Sequence, residues 1–168
     1  ARDGDDIVFV MDLDGYYPEG LSYAWDTTTR KDSKTVRAQL DASVKLASEH
    51  LVHSGKDISN PGCVGTLGMM LESSSMGGTV RVEDIPRPEG VDLIQWILSF
   101  QGCGYVFACP KGNSARVIEI FREVGCTGAV VGTVDPSKVL KLTMDGEERV
   151  LFDFQKDVIT GCRPKESR

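Results

Sequence analysis

Apolar residues fall in short runs separated by glycine, proline and acidic turns, and their period changes from run to run. Ile7-Val8-Phe9-Val10-Met11 is a continuous β-rich run that ends in Asp12-Leu13-Asp14-Gly15, which predicts a buried strand. A polar connector over 15–33, rich in Gly, Pro and Thr, is long enough to cover a site or serve one. From Ser33 to about His53, Val36, Leu40, Val44, Ala47 and Leu51 recur at helical spacing, with Ser33 placed as N-cap and Gly55 just past the end. A second helix opens at Ser59-Asn60-Pro61. Asn60 suits the N-cap, and Pro61 suits the first helical position, where its missing N–H costs nothing. That helix carries Val64, Leu67, Met70 and Leu71 and dissolves at Ser73-Ser74-Ser75, with Gly77-Gly78 as the turn.

Residues 79–82 read as a strand by alternation, and 92–100 as a short apolar helix that Gly102 and Gly104 end. A tight βαββ run follows. Residues 105–109 form a strand closed by Pro110. Asn113 caps a helix carrying Ala115, Val117, Ile118, Ile120, Phe121 and Val124, which Gly125 stops. Residues 129–134 and 139–142 are strands, and Asp145-Gly146 is a hairpin turn into 149–152. Irregular alternation and a terminal hairpin predict an α+β fold: a mixed or antiparallel sheet with helices packed mainly on one face, not a doubly wound nucleotide fold.

The 168 residues suit a single domain spanning 1–168, with 1–6 and 161–168 expected to be flexible. The chain begins without Met and runs straight into a strand, as a piece of a longer protein would. Its 19 basic and 25 acidic residues give a net charge of −6 with the cations scattered, which argues against a nucleic-acid partner. No apolar run approaches the roughly 20 residues that span a bilayer. Cys63, Cys103, Cys109, Cys126 and Cys162 are odd in number and irregular in spacing, with no Cys-x-x-Cys pair. They are expected as free thiols in a reducing cytoplasm, several buried as small apolar residues.

The strongest chemical signal is Gly62, Gly65 and Gly68, which clear one face at the start of the second helix. Exposed N–H groups and the positive helix end would favour a phosphate there. Ser59 could add a hydroxyl and Asp57 could hold a divalent cation. Spacing alone serves equally well for a glycine face on which another element packs closely.

The stretch Lys56-Asp57-Ile58-Ser59-Asn60-Pro61-Gly62-Cys63-Val64-Gly65-Thr66-Leu67 resembles the turn that opens a C-terminal-domain helix in the aminoimidazole ribonucleotide synthetase superfamily, the PurM-like proteins. Gly104-Tyr105-Val106-Phe107-Ala108-Cys109-Pro110, the following helix and Gly128-Ala129-Val130-Val131-Gly132-Thr133-Val134 are similar to the closing βαββ unit of that superfamily. Together with Trp25-Asp26-Thr27-Thr28-Thr29, the pattern is closest to archaeal synthetase-related proteins labelled as methanogenesis markers.

The resemblance implies a two-domain enzyme that phosphorylates a carbonyl- or amide-type oxygen with ATP and Mg. Its own N-terminal ATP-binding domain would lie upstream and pair as a homodimer. This C-terminal domain would close the cleft over ATP and a small-molecule substrate, and would be inactive alone. By position, Asp57, Ser59, Asn60, Gly62 and Gly65 would contact the nucleotide, with Asp57 the metal neighbour. Asn60-Pro61 stands where thiamine-monophosphate kinase has Asp-Gly, so neutral Asn60 weakens metal binding there. A non-catalytic binding or dimer-partner module is the alternative.

A rival motif is the apolar strand ending Asp12-Leu13-Asp14-Gly15, similar to the nucleophile loop of haloacid-dehalogenase-type phosphatases, where the first Asp attacks phosphorus and the second is the acid/base. Tyr16 follows Gly15 and no later acidic metal pair appears, so Asp12 and Asp14 are expected instead to meet solvent or a neighbouring domain. His50 and His53 are expected to face water near a helix C-terminus, and Trp25 and Trp96 to cover core or interdomain surface.

Overall fold

The structure, a computed structural model, describes residues 1–162 and 164. The chain runs β1 (Asp6–Met11), β2 (Ala24–Trp25), α1 (Ser33–Ser48), β3 (Ser54–Asp57), α2 (Gly62–Ser74), β4 (Gly77–Arg81), α3 (Leu93–Leu98), β5 (Phe100–Gln101), β6 (Gly104–Cys109), α4 (Ser114–Arg122), β7 (Thr127–Asp135), β8 (Val139–Met144) and β9 (Glu147–Asp153). Seven strands form one sheet in the order β3-β6-β1-β7-β4-β8-β9. All neighbours in it are antiparallel except β4 and β8, while β2 and β5 make a separate parallel pair. The fold is α+β with a mixed sheet, as the sequence pattern predicts.

β1 sits between β6 and β7, and its residues Ile7 to Met11 are fully buried. Ile7, Phe9 and Met11 enter one core with α2, Trp25 and Trp96. Val8 and Val10 enter a second with Ala42 and Leu46 of α1 and Val117, Ile120 and Phe121 of α4. Each such burial contributes about 1.5–3 kcal/mol. The helices, expected mainly on one face, therefore divide two and two, because a strand apolar at every position needs cover on both sides.

α1 departs most from the sequence pattern. Its buried residues are Gln39, Ala42 and Leu46, whereas Leu40 and Val44 of the expected apolar stripe are exposed. A buried hydrogen bond from Gln39 Nε2 to Asp12 Oδ2 (2.6 Å) fixes which face turns inward. The helix stops at Ser48 rather than near residue 53. His50 takes a left-handed φ of +53°, and Leu51 N donates back to Leu46 O. Gly55, expected as a helix stop, lies inside β3, an edge strand held by β6.

Three caps also move. Asp32, not Ser33, caps α1 by accepting from Lys34 N and Thr35 N. α2 starts behind Pro61 with no side-chain cap, so Asn60 does not cap it. Asn113 precedes α4, but its amide donates to Leu51 O instead of capping. Asp92 caps α3 through Gln95 N. Gly77 and Gly78, expected as a turn, belong to β4, and the turn before them is made by left-handed Ser75. Asp145 and Gly146 both take positive φ, which matches the twist of the β8–β9 hairpin.

Residues 1–6, expected to be flexible, make defined contacts. The Ala1 ammonium donates to Ser74 Oγ (2.8 Å), Gly4 N donates to Val134 O (3.0 Å), and Asp6 opens β1. At the other end the Glu72 carboxylate, buried on α2, accepts from Ile159 N, Thr160 N and Oγ1, and Gly161 N. Of the flexible tail expected over 161–168, positions 163 and 165–168 lie outside the described residues. No helix among the described residues is long and apolar enough to cross a membrane.

Candidate functional site

One end of the sheet gathers the two acidic segments that stand out in the sequence. β1 ends there at Met11, opposite Gly104 of β6, and Asp12 N donates to Cys103 O (3.0 Å). On the other side of β6, Asp57 pairs with Tyr105, and Ile58 N donates to Gly104 O (2.9 Å). Asp12 and Asp57 therefore stand at the same sheet end with β6 between them, two strand spacings or about 10 Å apart in the hydrogen-bonding direction.

The turn after β3 is open outward and fixed inward. Ile58 is buried as its anchor, Ser59 N donates to Thr66 Oγ1 (3.2 Å), and Gly62 N donates to Ser59 O (2.9 Å). Outside, the Asp57 side chain is 69% exposed, with Lys56 Nζ 3.3 Å away. Asn60 is exposed and Ser59 half-buried.

Each of the three glycines meets a different neighbour. Gly62 has φ +70°, and a Cβ there would fall inside the Ile97 carbonyl and the Leu98 backbone of α3. A Cβ on Gly65 would press on the Pro61 ring (2.6 Å), and one on Gly68 would press on Ile159 and Phe152 (2.9 and 3.1 Å). Chain packing thus fills the whole glycine face. A ligand is left the rim formed by Asp57, Ser59 and Asn60. Behind it, burial pushes the Cys63 thiol up to about 12, so it stays protonated.

The Asp12 segment is closed. Its side chain is fully buried. Oδ1 accepts from Asp14 N (3.0 Å), Oδ2 accepts from Lys31 Nζ and from Gln39 Nε2 (2.6 Å), and its backbone O accepts from Trp25 Nε1 (3.0 Å). Burial works to lower the Lys31 pKa. The hydrogen bond and charge of Asp12, with Asp14 behind them, outweigh burial and raise it. The rival phosphatase reading fails here: both Asp12 oxygens are already engaged and no phosphorus could reach them. The Asp14 side chain, 94% exposed, points to water with Lys31 3.5 Å away. Of the two aspartates expected to meet solvent or a neighbouring domain, Asp14 is open and Asp12 is closed within the fold.

The connector between them is built by Asp26. It accepts from Thr28 N (2.8 Å), Thr29 N (2.9 Å) and Tyr16 Oη (3.1 Å). The Thr29 side chain and N–H, and then Thr28 and Tyr16, hold its pKa far below the usual carboxylate range. Arg30 stacks over Tyr16, 3.6 Å from the ring centre. Lys31 is thereby presented to two shallow cavities of about 450 and 260 Å³. Lys31 and Gln39 escape the sequence reading, because 19 and 27 residues separate them from Asp12. The available signal was Asp26-Thr27-Thr28-Thr29, an Asx-turn pattern that folds a connector back on itself.

The remaining expectations sort quickly. His50 and His53 are both exposed, as expected; His53 also pairs through Nδ1 with buried Asp5 (2.8 Å), and His50 closes α1. Trp25 and Trp96 are core residues, in edge contact at 5.3 Å. The five cysteines are free thiols, and Cys162 is the exposed one. Among the described residues no three His, Cys, Asp or Glu converge to hold a metal ion.

A family model described as AIR synthase related protein, C-terminal domain, matches residues 14–145. The chain is 47% identical over 163 residues to uncharacterized protein MJ0640 of Methanocaldococcus jannaschii, covering 96% of this chain and 50% of that protein. It is 30% identical over 161 residues to uncharacterized protein sll0787 of Synechocystis, covering 96% and 50%. The chain thus spans half the length of these curated relatives. Among solved structures it is similar to T. maritima PurL complexed with ATP, with TM-score 0.72 and 17% identity over 92% of this chain and 26% of that one. It is also similar to hydrogenase maturation protein HypE in complex with ATP, with TM-score 0.65 and 16% identity over 90% and 51%. These two likenesses carry the fold.

Proposed function

Because the chain belongs to the AIR synthase related protein family, as its C-terminal domain, we propose that it forms the second half of an ATP-using synthetase- or kinase-like enzyme. The first half is an N-terminal ATP-binding domain of the longer protein, and the chain alone is inactive. The observation that carries this reading is the outward rim of the Asp57–Asn60 turn. It is a fixed backbone loop at a sheet end on which Asp57 and Asn60 are exposed and Ser59 is half-buried. ATP bound to both solved neighbours supports the choice of nucleotide.

The residues present fit one edge of a magnesium–nucleotide site. Asp57 offers a single open carboxylate, enough for one ligand to a hard cation but short of a full set. Ser59 and Asn60 offer a hydroxyl and an amide to phosphate oxygens. Gly62 and Gly65 act by shape: the first lets the turn close on α3, and the second lets Pro61 fold over the helix start. ATP, when bound, supplies the phosphoryl group for a carbonyl- or amide-type oxygen, and Mg neutralises its charge. This chain orients that edge and covers the cleft against water. The partners that follow are the N-terminal domain, a small-molecule substrate between the two domains, and a second copy of the longer protein. Free thiols, mostly buried, suit the reducing cytoplasm.

Neutral Asn60 favours one second reading, a non-catalytic binding or dimer-partner module. Calorimetric titration of ATP with magnesium into the 168-residue chain and into the longer protein tests the first reading. Heat is expected only with the longer protein; tight nucleotide binding by the chain alone contradicts the division of labour. Unchanged ATP turnover by an Asp57→Ala variant of the longer protein removes Asp57 from the site.

A further inference from the structure

Large exposed apolar side chains gather on the outer side of α3. Ile94 and Leu98, one helical turn apart, are 62% and 45% exposed, while Trp96 on the inner face is fully buried. The 17–25 segment adds Leu21 and Tyr23 at 56% and 53%, and β5 adds Phe100 at 40%. Hydrogen bonds join them into one surface: Gln95 Nε2 donates to Ser22 O (2.8 Å), Phe100 N donates to Tyr23 O (3.0 Å), and Ala24 pairs with Phe100. Single exposed apolar residues need no explanation. Five on one surface, two of them aromatic, have the composition of a surface that another protein surface covers.

Two features of the structure choose the occupant. The surface is continuous with the Asp57–Asn60 turn, because Gly62 closes that turn directly against Ile97 and Leu98. Ala1 lies on the same layer: its ammonium binds Ser74 at the far end of α2, about 18 Å from Gly62 along the helix axis. A domain preceding Ala1 therefore enters beside α2 and can lie across α2 and α3 to the turn. The curated relatives have as much chain outside the match as within it. The other exposed apolar groups are differently placed. Leu40 and Val44 lie on α1, which packs into the opposite core, Met144, Val150 and Leu151 lie on the β8–β9 hairpin, and Val158 stands alone before the 159–161 segment that Glu72 of α2 holds.

We infer that the surface formed by Leu21, Tyr23, Ile94, Leu98 and Phe100 is the docking face for the domain that precedes this one in the longer protein. This rests on reading the chain as a second half. Docking there buries the apolar patch and brings the preceding domain against the Asp57–Asn60 rim.

Hydroxyl-radical footprinting of the longer protein, read by mass spectrometry, tests it. After correction for intrinsic side-chain reactivity, Tyr23, Leu98 and Phe100 are expected to oxidise several-fold more slowly than Val150 and Leu151. Rates as fast as those of Val150 and Leu151 overturn the inference. So does protection that disappears on dilution, which identifies a second copy as the occupant. A Leu98→Arg variant is expected to restore oxidation at Tyr23 and Phe100 while the β9 rates stay fixed; continued protection overturns the inference as well. ATP titration of the same protein separates the two proposals. Protection without nucleotide binding leaves the docking face standing and sinks the nucleotide reading, and binding without protection does the reverse.

Discussion

Asp12 and Asp57 stand at the same end of the sheet, on either side of β6, and have opposite surroundings. Asp12 is fully buried, and both its carboxylate oxygens are engaged by groups from three separate segments. Asp57 is mostly exposed, with one lysine at 3.3 Å as its ion partner. The sequence reading also set Asp57 in the favoured turn and left Asp12-Leu13-Asp14-Gly15 as the rival motif. The difference lies in what each carboxylate has left to give. A group whose lone pairs are spent inside the fold holds structure together, whereas one fixed by its backbone with its oxygens free can meet a ligand.

The sharpest break of that comparison is Asp12→Ala. It leaves the Lys31 ammonium with only the exposed Asp14 carboxylate at 3.5 Å and the Gln39 amide with only a long contact to Val124 O (3.4 Å), beside the fully buried position of the lost carboxylate. Removing one member of a buried pair costs about 3–5 kcal/mol. Chemical denaturation of the chain should show a loss of that size. An Asp12→Leu and Lys31→Met double variant should recover much of it, because it leaves no uncompensated charge. A loss below about 1 kcal/mol for Asp12→Ala would mean that the cluster is wet and the contrast with Asp57 is overstated.

How much of this was legible follows the same division. β1, α2, α3, β6, α4, β7 and the β8–β9 hairpin were readable because each carries its own apolar period or turn pair. β3 was not: Ser54-Gly55-Lys56-Asp57 has no apolar residue, and only its pairing with β6 makes it a strand. The orientation of α1 was misread for a related reason. Its stripe of Val36, Leu40 and Val44 outweighs Gln39, Ala42 and Leu46 in hydrophobicity, but a polar contact with Asp12 chose the weaker stripe. At the candidate site, the turn at Asp57 was legible from local spacing, and the role of its glycines was not. Whether Gly62 faces a ligand or α3 depends on where Ile97 comes to lie, 35 residues away in sequence.

Glu72 lies between the two aspartates in expected effect. It sits buried in the last turn of α2, where the helix dipole disfavours a negative charge, and four donors from residues 159–161 compensate. Burial alone would raise its pKa; the Thr160 hydroxyl and the N–H groups of Thr160, Ile159 and Gly161 outweigh burial and lower it. A folded pKa below the unfolded value of about 4.3 means that the contribution is fully present above that value and is lost as pH falls through the folded one. Glu72→Gln should therefore cost about 1.5–3 kcal/mol at pH 7, the worth of hydrogen bonds to a charged group. The gap to wild type should narrow as pH falls below the unfolded value of about 4.3, with hydrogen exchange at 159–161 rising in step. A gap that is constant with pH would show that the carboxylate charge is not what holds the segment.

Asp57→Ala is the smallest expected effect on stability and therefore the most informative about function. Its side chain is 69% exposed, and its one ion pair, with Lys56 at 3.3 Å, is a surface pair worth about 0–1 kcal/mol. The turn itself is held by Ile58, by Ser59 N on Thr66 and by Gly62 N on Ser59 O, none of which uses the carboxylate. Denaturation midpoints of the chain should stay within about 0.5 kcal/mol of wild type. In the longer protein the same change should weaken magnesium-dependent ATP binding on the order of tenfold, about 1.4 kcal/mol. A variant that loses stability but keeps nucleotide affinity would move Asp57 to the side of Asp12, among the residues that build the sheet end, and would leave the rim to Ser59 and Asn60. A variant that keeps stability and loses affinity draws the line between the two aspartates where their burial places it.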